Sequence, residues 1–217
     1  MFVARSQIGR SQIGLMGKRL VSGLLILAVC LCLSGTPAIA ADSPQTVIQT
    51  GTDQILQLLR QYPQDTAARR QQVQAVVNKY FDFEAMTRLA IGRGWNSLSP
   101  ARQQEFTQEF TKLLFASYIG DLEKYARERI SYGNRPVTQG YVVVQALIHD
   151  PNGPISLDYY LHLRDGNWKV YDVAVEGTSL VLNYRNQFES ILANGSFHDL
   201  SMMLRQRIAQ LCASGRC

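Results

Sequence analysis

The sequence predicts an α+β fold: a twisted antiparallel sheet of about four strands, helices packed on its concave face in a cone-shaped arrangement, and an apolar cavity between the two layers. Three observations lead there. Apolar residues recur at helical spacing through the first half of the chain, switch to alternation between Tyr141 and Val175, and return to helical spacing after Ser179. Helices, then a meander of strands, then helices again is the order of a sheet with helices laid on one face.

Each element has its own signal. Residues 47–59 place Ile48, Ile55, Leu56 and Leu59 on one helical face, and a second helix over residues 66–77 follows Pro63. Asp82 suits the N-cap of a helix over residues 83–90, which Gly92 and Gly94 would stop. Ser99-Pro100 couples a capping residue to proline at the first helical position. Beyond it Phe106, Phe110, Leu113, Leu114, Tyr118, Leu122 and Tyr125 share one broad face, which makes that helix long and half buried.

Strands follow at 129–133 and 141–148, and then at 155–163, where Ile155, Leu157, Tyr159, Leu161 and Leu163 alternate with Ser156, Asp158, Tyr160, His162 and Arg164. Asp165-Gly166 is the hairpin turn into an alternating strand over residues 168–175. A Glu176-Gly177 corner, with positive φ expected at Gly177, leads to a helix over residues 179–193. Asn194-Gly195 ends it, and a last amphipathic helix starts at Ser196 and runs to about Leu211.

Residues 1–40 stand apart. Arg5, Arg10, Lys18 and Arg19 precede an uncharged run over residues 20–33, and small residues lead to Ala38-Ile39-Ala40. This order is that of a secretory signal peptide, with cleavage expected after Ala40. The apolar run is short beside the ~20 residues of a membrane helix. Four of the 22 Lys and Arg lie in residues 1–40 and none of the 17 acidic residues does, so the net charge of +5 falls to +1 for residues 41–217. A basic surface for nucleic acid is therefore not expected. Residues 41–217 are enough for one domain with one sizeable core. Cys30 and Cys32 leave with the signal; Cys212 and Cys217 either close a small ring in an oxidising compartment or stay reduced on the tail.

Catalytic chemistry is sparse. His149, His162 and His198 have no Cys, His or carboxylate at ligand spacing, so no metal is expected, and nothing calls for a cofactor. Gly92-Arg93-Gly94 and Glu176-Gly177-Thr178-Ser179 lack the spacing and the Lys-Ser/Thr of a phosphate loop and read as corners. Asp158 and Asp172 on neighbouring strands offer the one enzymatic reading, a carboxylate base facing a pocket. Against it, Asp158 faces water with its alternating neighbours, Asp172 and Glu176 hold the corner, and no second acid or oxyanion donor is evident. A solid-cored interaction module is a third possibility.

One stretch carries more than its secondary structure. Trp168-Lys169-Val170, Asp172-Val173, Val175-Glu176-Gly177, Ser179-Leu180, then Asn183-Tyr184-Arg185 and Gln187-Phe188 resemble a run of the MlaC family, exported phospholipid-binding proteins also known as toluene-tolerance proteins. Upstream, the block from Tyr80 to Met86, then Leu89-Ala90-Ile91-Gly92 and Trp95, is similar to the same family, and Ser99-Pro100, Phe106, Phe110, Leu113-Leu114 and Tyr118 continue it. The resemblance spans about residues 45–211.

The resemblance implies a periplasmic carrier, not an enzyme. It would bind a glycerophospholipid by its acyl chains and shuttle it between an inner-membrane ABC transporter complex with an MCE-domain subunit and an outer-membrane lipoprotein–porin complex, maintaining outer-membrane lipid asymmetry. On this reading the pocket is lined by Phe83, Met86, Phe110, Leu113, Tyr118, Val142, Val144, Tyr159, Leu161, Val173, Tyr184 and Phe188, and Arg185 either meets a headgroup phosphate or holds a salt bridge.

Overall fold

Ser43, Thr66, Asp82, Ser99, Ser179 and Ser196 each close a loop and open a helix in the computed structural model, which describes residues 42–64, 66–136 and 141–217. Each side-chain oxygen accepts a first-turn N–H that would otherwise lack a partner, which fixes where the helix begins. Ser196 adds the reciprocal bond, its own N–H reaching the Asp199 carboxylate. The helices are α1 (Pro44–Gln61), α2 (Ala67–Tyr80), α3 (Phe83–Ile91) and α4 (Pro100–Lys124) before the sheet, then α5 (Leu180–Asn194) and α6 (Phe197–Ala213) after it. Gly92 stops α3 at φ +69°, and a 3₁₀ turn over Gly92–Ser97 leads on to α4.

The strands β1 (Arg129–Pro136), β2 (Tyr141–Asp150), β3 (Gly153–Arg164), β4 (Asn167–Val175) and β5 (Thr178–Ser179) form one sheet in chain order, every pair antiparallel. The count is one above the expected four because the Glu176-Gly177 corner, with φ of +48° and +77°, returns two residues to pair with β4 before α5 starts. Asp165 and Gly166 both have positive φ (+50° and +75°), the pair a two-residue hairpin of matching twist needs.

One irregularity was not expected from the alternating pattern. Tyr160 pairs with Asp172 but Leu161 pairs with Val170, leaving Tyr171 as an extra residue in β4. This bulge lets Val170 and Val173 both face inward, where strict alternation would have turned one of them out. Tyr171 instead joins the outer face, where its ring lies 5.9 Å from Tyr141, 6.3 Å from Tyr160 and 5.2 Å from His162.

Three apolar clusters hold the layers together. Phe106, Phe110 and Leu113 of α4 pack with Met86 of α3, Phe188 of α5 and Leu200 and Leu204 of α6. Val144, Leu161, Val170 and Val173 of the sheet pack with Ile48 of α1. Leu56 and Leu59 of α1, Val73 of α2 and Ile119 of α4 form the third. Two charged ties reinforce them: buried Glu109 accepts from Ser201 Oγ at 2.9 Å and Arg205 Nε at 2.5 Å, and buried Arg69 donates to the Tyr62 carbonyl at 3.0 Å and pairs with Glu123.

Residues from Ala41 to Cys217 form one compact unit, and the signal-peptide reading of residues 1–40 falls outside the described residues. Among the described residues no helix is long and apolar enough to cross a membrane. Cys212 and Cys217 are joined by a disulfide at the end of α6.

Asp82 links the helical layer to the sheet. Its Oδ1 accepts from the Ala85 N–H at 3.0 Å and from Arg164 Nη1 at 2.6 Å, its Oδ2 lies 2.9 Å from His162 Nε2, and its backbone N–H donates to the Val170 carbonyl at 2.8 Å. Burial alone would raise the Asp82 carboxyl, but the Ala85 N–H, the Arg164 guanidinium and His162 together hold it below its ordinary value. The unfolded carboxyl takes up its proton near pH ~4. The folded one does so at lower pH, so its contribution is complete above that range and is lost as pH falls through the folded value. Asp82→Asn keeps a capping side chain and removes the charge. It should cost about 1–2 kcal/mol at pH 7, with the difference from the parent closing as the pH falls below the ordinary carboxylate range; urea melts at pH 7, 4 and 2.5 measure this.

Candidate functional site

Where the three clusters meet they do not close. Between the inner face of the sheet and α1, α2, α3 and α4 lies a cavity of about 700 Å³. The sheet contributes Ile130, Ile148, Ile155, Leu157, Tyr159, Val173 and Val175; the helices contribute Ile48, Ile55, Leu56, Val77, Met86, Leu114, Phe115, Tyr118 and Leu122 among others. The size is within the range of small-molecule sites.

Local sequence explains the wall. Along β3 the period of two sends Ile155, Leu157 and Tyr159 to the cavity side. In α4, 25 residues long, Phe106 and Phe110 serve the helical core, and one to three turns later Leu114, Phe115, Tyr118 and Leu122 reach the cavity. In α1, Gly51 admits the Tyr80 ring: a Cβ there would come within 2.9 Å of Tyr80 Cδ2, and both residues line the cavity.

The exposed lining residues are Asp121 at the end of α4, Glu176 and Thr178 at the β4–β5 corner and Asn183 in the first turns of α5, and they mark the mouth. Among the described residues, no Lys, Arg or His lines the cavity. Two of its phenols are pushed further toward the neutral form. Burial, with Tyr132 nearby, pushes the Tyr159 phenol up; burial, with Tyr184 adding to it, pushes Tyr118 up to about 12.

Phe83, Met86, Tyr118, Tyr159 and Val173, five of the side chains offered for a pocket, stand on this wall. Phe110, Leu113, Tyr184 and Phe188 do not: they belong to the helical core, where the Phe110 ring meets Tyr184 edge-on at 5.0 Å and Phe188 at 5.5 Å. Val142, Val144 and Leu161 lie in the sheet cluster under α1, beyond the end of the cavity. Arg185 is off the wall too, paired with Glu189 at 2.9 Å with its guanidinium over Gly92. The α1 side chains and Ile155 and Leu157 line the cavity without having been named. Leu157 had a signal, since it shares the period of Tyr159.

The carboxylates offered as general bases do not face the cavity. Asp172 accepts from Ser179 Oγ at 2.5 Å and from the Val181 N–H at 3.0 Å, so it holds the corner. Asp158 lies on the opposite face of β3 from Leu157 and Tyr159, but it is not simply in water: Oδ1 is buried without a hydrogen-bond partner among the described residues. His162 is a structural partner of Asp82. Among the described residues there is no cluster of three or more His, Cys, Asp or Glu suited to a metal.

The family model described as MlaC protein matches residues 47–206, from the first turn of α1 into α6 and so across every lining residue of the cavity. The chain belongs to the MlaC family. Two relatives are similar over most of their length. The intermembrane phospholipid transport system binding protein MlaC of Haemophilus influenzae is 23% identical over 183 residues, 80% of this chain and 86% of that protein. The toluene tolerance protein ttg2D of Pseudomonas putida is 24% identical over 182 residues, 80% of this chain and 83% of that protein. A solved structure of a phospholipid-binding protein from Ralstonia solanacearum, in complex with a phospholipid, superposes with a TM-score of 0.73 at 28% identity, covering 79% of this chain and 99% of that one.

The close approach at Gly51 gives a test of the wall. Gly to Ala inside a helix ordinarily stabilises by about 1 kcal/mol. In this MlaC-family chain Gly51→Ala must instead displace the Tyr80 ring toward the cavity, so the variant should gain little stability and take up an apolar fluorescent probe several-fold less well. Unchanged probe binding with a full propensity gain would mean that Gly51 does not shape the cavity.

Proposed function

We propose that this chain is a periplasmic carrier that holds a glycerophospholipid with its acyl chains in the cavity and its headgroup at the mouth. The observation that carries the reading is the cavity itself, about 700 Å³, apolar along its wall and open at a rim of four exposed polar side chains. The phospholipid complex of the Ralstonia solanacearum protein, which shares this fold at 28% identity, supports it. So does the transport system named for the Haemophilus influenzae relative.

Physical chemistry asks for such a carrier. At about 0.8 kcal/mol per exposed CH₂, two long chains cost on the order of 20 kcal/mol in water. The cavity is too large to be a packing defect, since a close-packed interior leaves few voids bigger than a water molecule and this one is about 700 Å³. It is a space to be filled. In the same reading residues 1–40 are a signal peptide removed after Ala40, and the lipid passes between an inner-membrane ABC transporter complex with an MCE-domain subunit and an outer-membrane lipoprotein–porin complex, preserving outer-membrane lipid asymmetry. The reading needs no catalytic group, metal or cofactor.

Native mass spectrometry of purified residues 41–217 decides the main claim. The expected result is one bound phospholipid per molecule; protein that emerges empty and takes none from vesicles would sink it. Leu157→Arg, which puts a charge on the wall, should abolish loading while the protein stays folded. Phe110→Ala should lower stability by about 3–5 kcal/mol yet leave lipid bound to each folded molecule. Extraction of the lipid should lower the melting temperature and reloading should restore it, because a ligand bound only by the folded state stabilises it.

A further inference from the structure

We propose that the mouth selects phospholipids whose headgroup ends in an ammonium over those whose headgroup is net anionic, with Asp121 and Glu176 as the selecting residues. The inference rests on the carrier reading and deepens it. Every phospholipid brings a phosphate to the mouth when its chains are buried, and the question is what charge it meets there.

It meets two carboxylates and two neutral polar groups, Asp121, Glu176, Thr178 and Asn183. The usual sources of positive potential are committed elsewhere. The N-terminus of α5 reaches this rim and would ordinarily suit an anion. Two of its first-turn donors are already taken, however: the Val181 N–H donates to Asp172 Oδ1 at 3.0 Å and the Leu182 N–H to Ser179 Oγ at 2.9 Å. Arg185, one residue beyond Tyr184, turns to Glu189. Lys124 comes close to this edge without lining the cavity: its ammonium lies 4.6 Å over the Tyr125 ring and donates to the Tyr125 hydroxyl at 2.8 Å, and both Asp121 and Asp150 act on it. The end of α4 carrying Asp121 is a helix C-terminus, whose dipole adds to the negative side.

Glu176 is held in place, its carboxylate accepting the Ser156 N–H and its own N–H donating to the Ser156 carbonyl at 2.9 Å. Among the described residues that line the mouth, a phosphate therefore meets no cation and faces two anions. A headgroup that adds an ammonium offsets that repulsion and pairs with the carboxylates. A headgroup with only hydroxyls does not.

The test loads residues 41–217 from vesicles of equal parts phosphatidylethanolamine and phosphatidylglycerol and reads the retained lipids by mass spectrometry. The expected result is an enrichment of phosphatidylethanolamine of about two- to fivefold, the size an exposed charge pair supports, fading toward equality at high salt. Asp121→Lys, at an exposed position, should reverse the preference, and Glu176→Gln, which keeps an acceptor for the Ser156 N–H, should weaken it. Equal retention by the parent protein, or a preference unmoved by both substitutions and by salt, overturns the proposal while leaving the carrier reading intact. Protein that acquires neither lipid overturns the carrier reading and the selection with it.

Discussion

Asp82 accepts hydrogen bonds from its own helix and from the sheet at once, and the cone depends on that double attachment. By capping α3 while gripping Arg164 and His162 of β3, it clamps the helical layer to the sheet at the end of β3 where Leu161 and Val170 are fully buried. The Phe81 and Phe83 rings stack beside it at 5.7 Å, and Phe81 bridges to Val170. Leu157 lies seven residues back from Arg164 along β3, about 23 Å at the rise of an extended chain. Among the described residues no buried, multiply bonded carboxylate ties the layers there, and the apolar faces diverge around the cavity. One end closed by a buried, multiply bonded carboxylate and one end left open is what turns a helix-on-sheet sandwich into a container.

Much of this was legible in the sequence because the signals are local. Capping side chains, Ser99-Pro100, Asp165-Gly166 and the Glu176-Gly177 corner act within a few residues, so each reads correctly without knowledge of the rest. The bulge at Tyr171 was not legible. The alternation of β4 is the same on paper whether Tyr171 is in or out of the ladder, and only pairing with β3 shows that it is out.

The division between cavity wall and solid core was illegible for a related reason. Phe110 and Tyr118 fall on one apolar face of α4, and Leu157 and Leu161 on one face of β3, but in each case one member meets another element and the other meets space. Periodicity reports which face turns inward and not how far the opposing layer stands off. That distance is set by contacts remote in sequence, such as Asp82 with Arg164, and no single-chain pattern carries it.

The energetics of a carrier give the rim an influence out of proportion to its size. Burial of two acyl chains is worth on the order of 20 kcal/mol against water, but a lipid leaving a bilayer for this cavity exchanges one apolar surrounding for another, and most of that term cancels. What remains to distinguish one lipid from the next, or loading from release, is the part of the molecule whose surroundings differ: the headgroup, solvated in a bilayer and, on the proposed selection, set against Asp121 and Glu176, which line the mouth. An exposed charge interaction of up to about 1 kcal/mol is negligible beside the burial of the tails and decisive once that burial is common to both sides. A strong cationic anchor at the mouth would have traded this balance for retention. On the proposed selection, a wall without Lys, Arg or His among the described residues leaves the hydrophobic fit to hold the lipid and a weak, salt-sensitive rim to choose it.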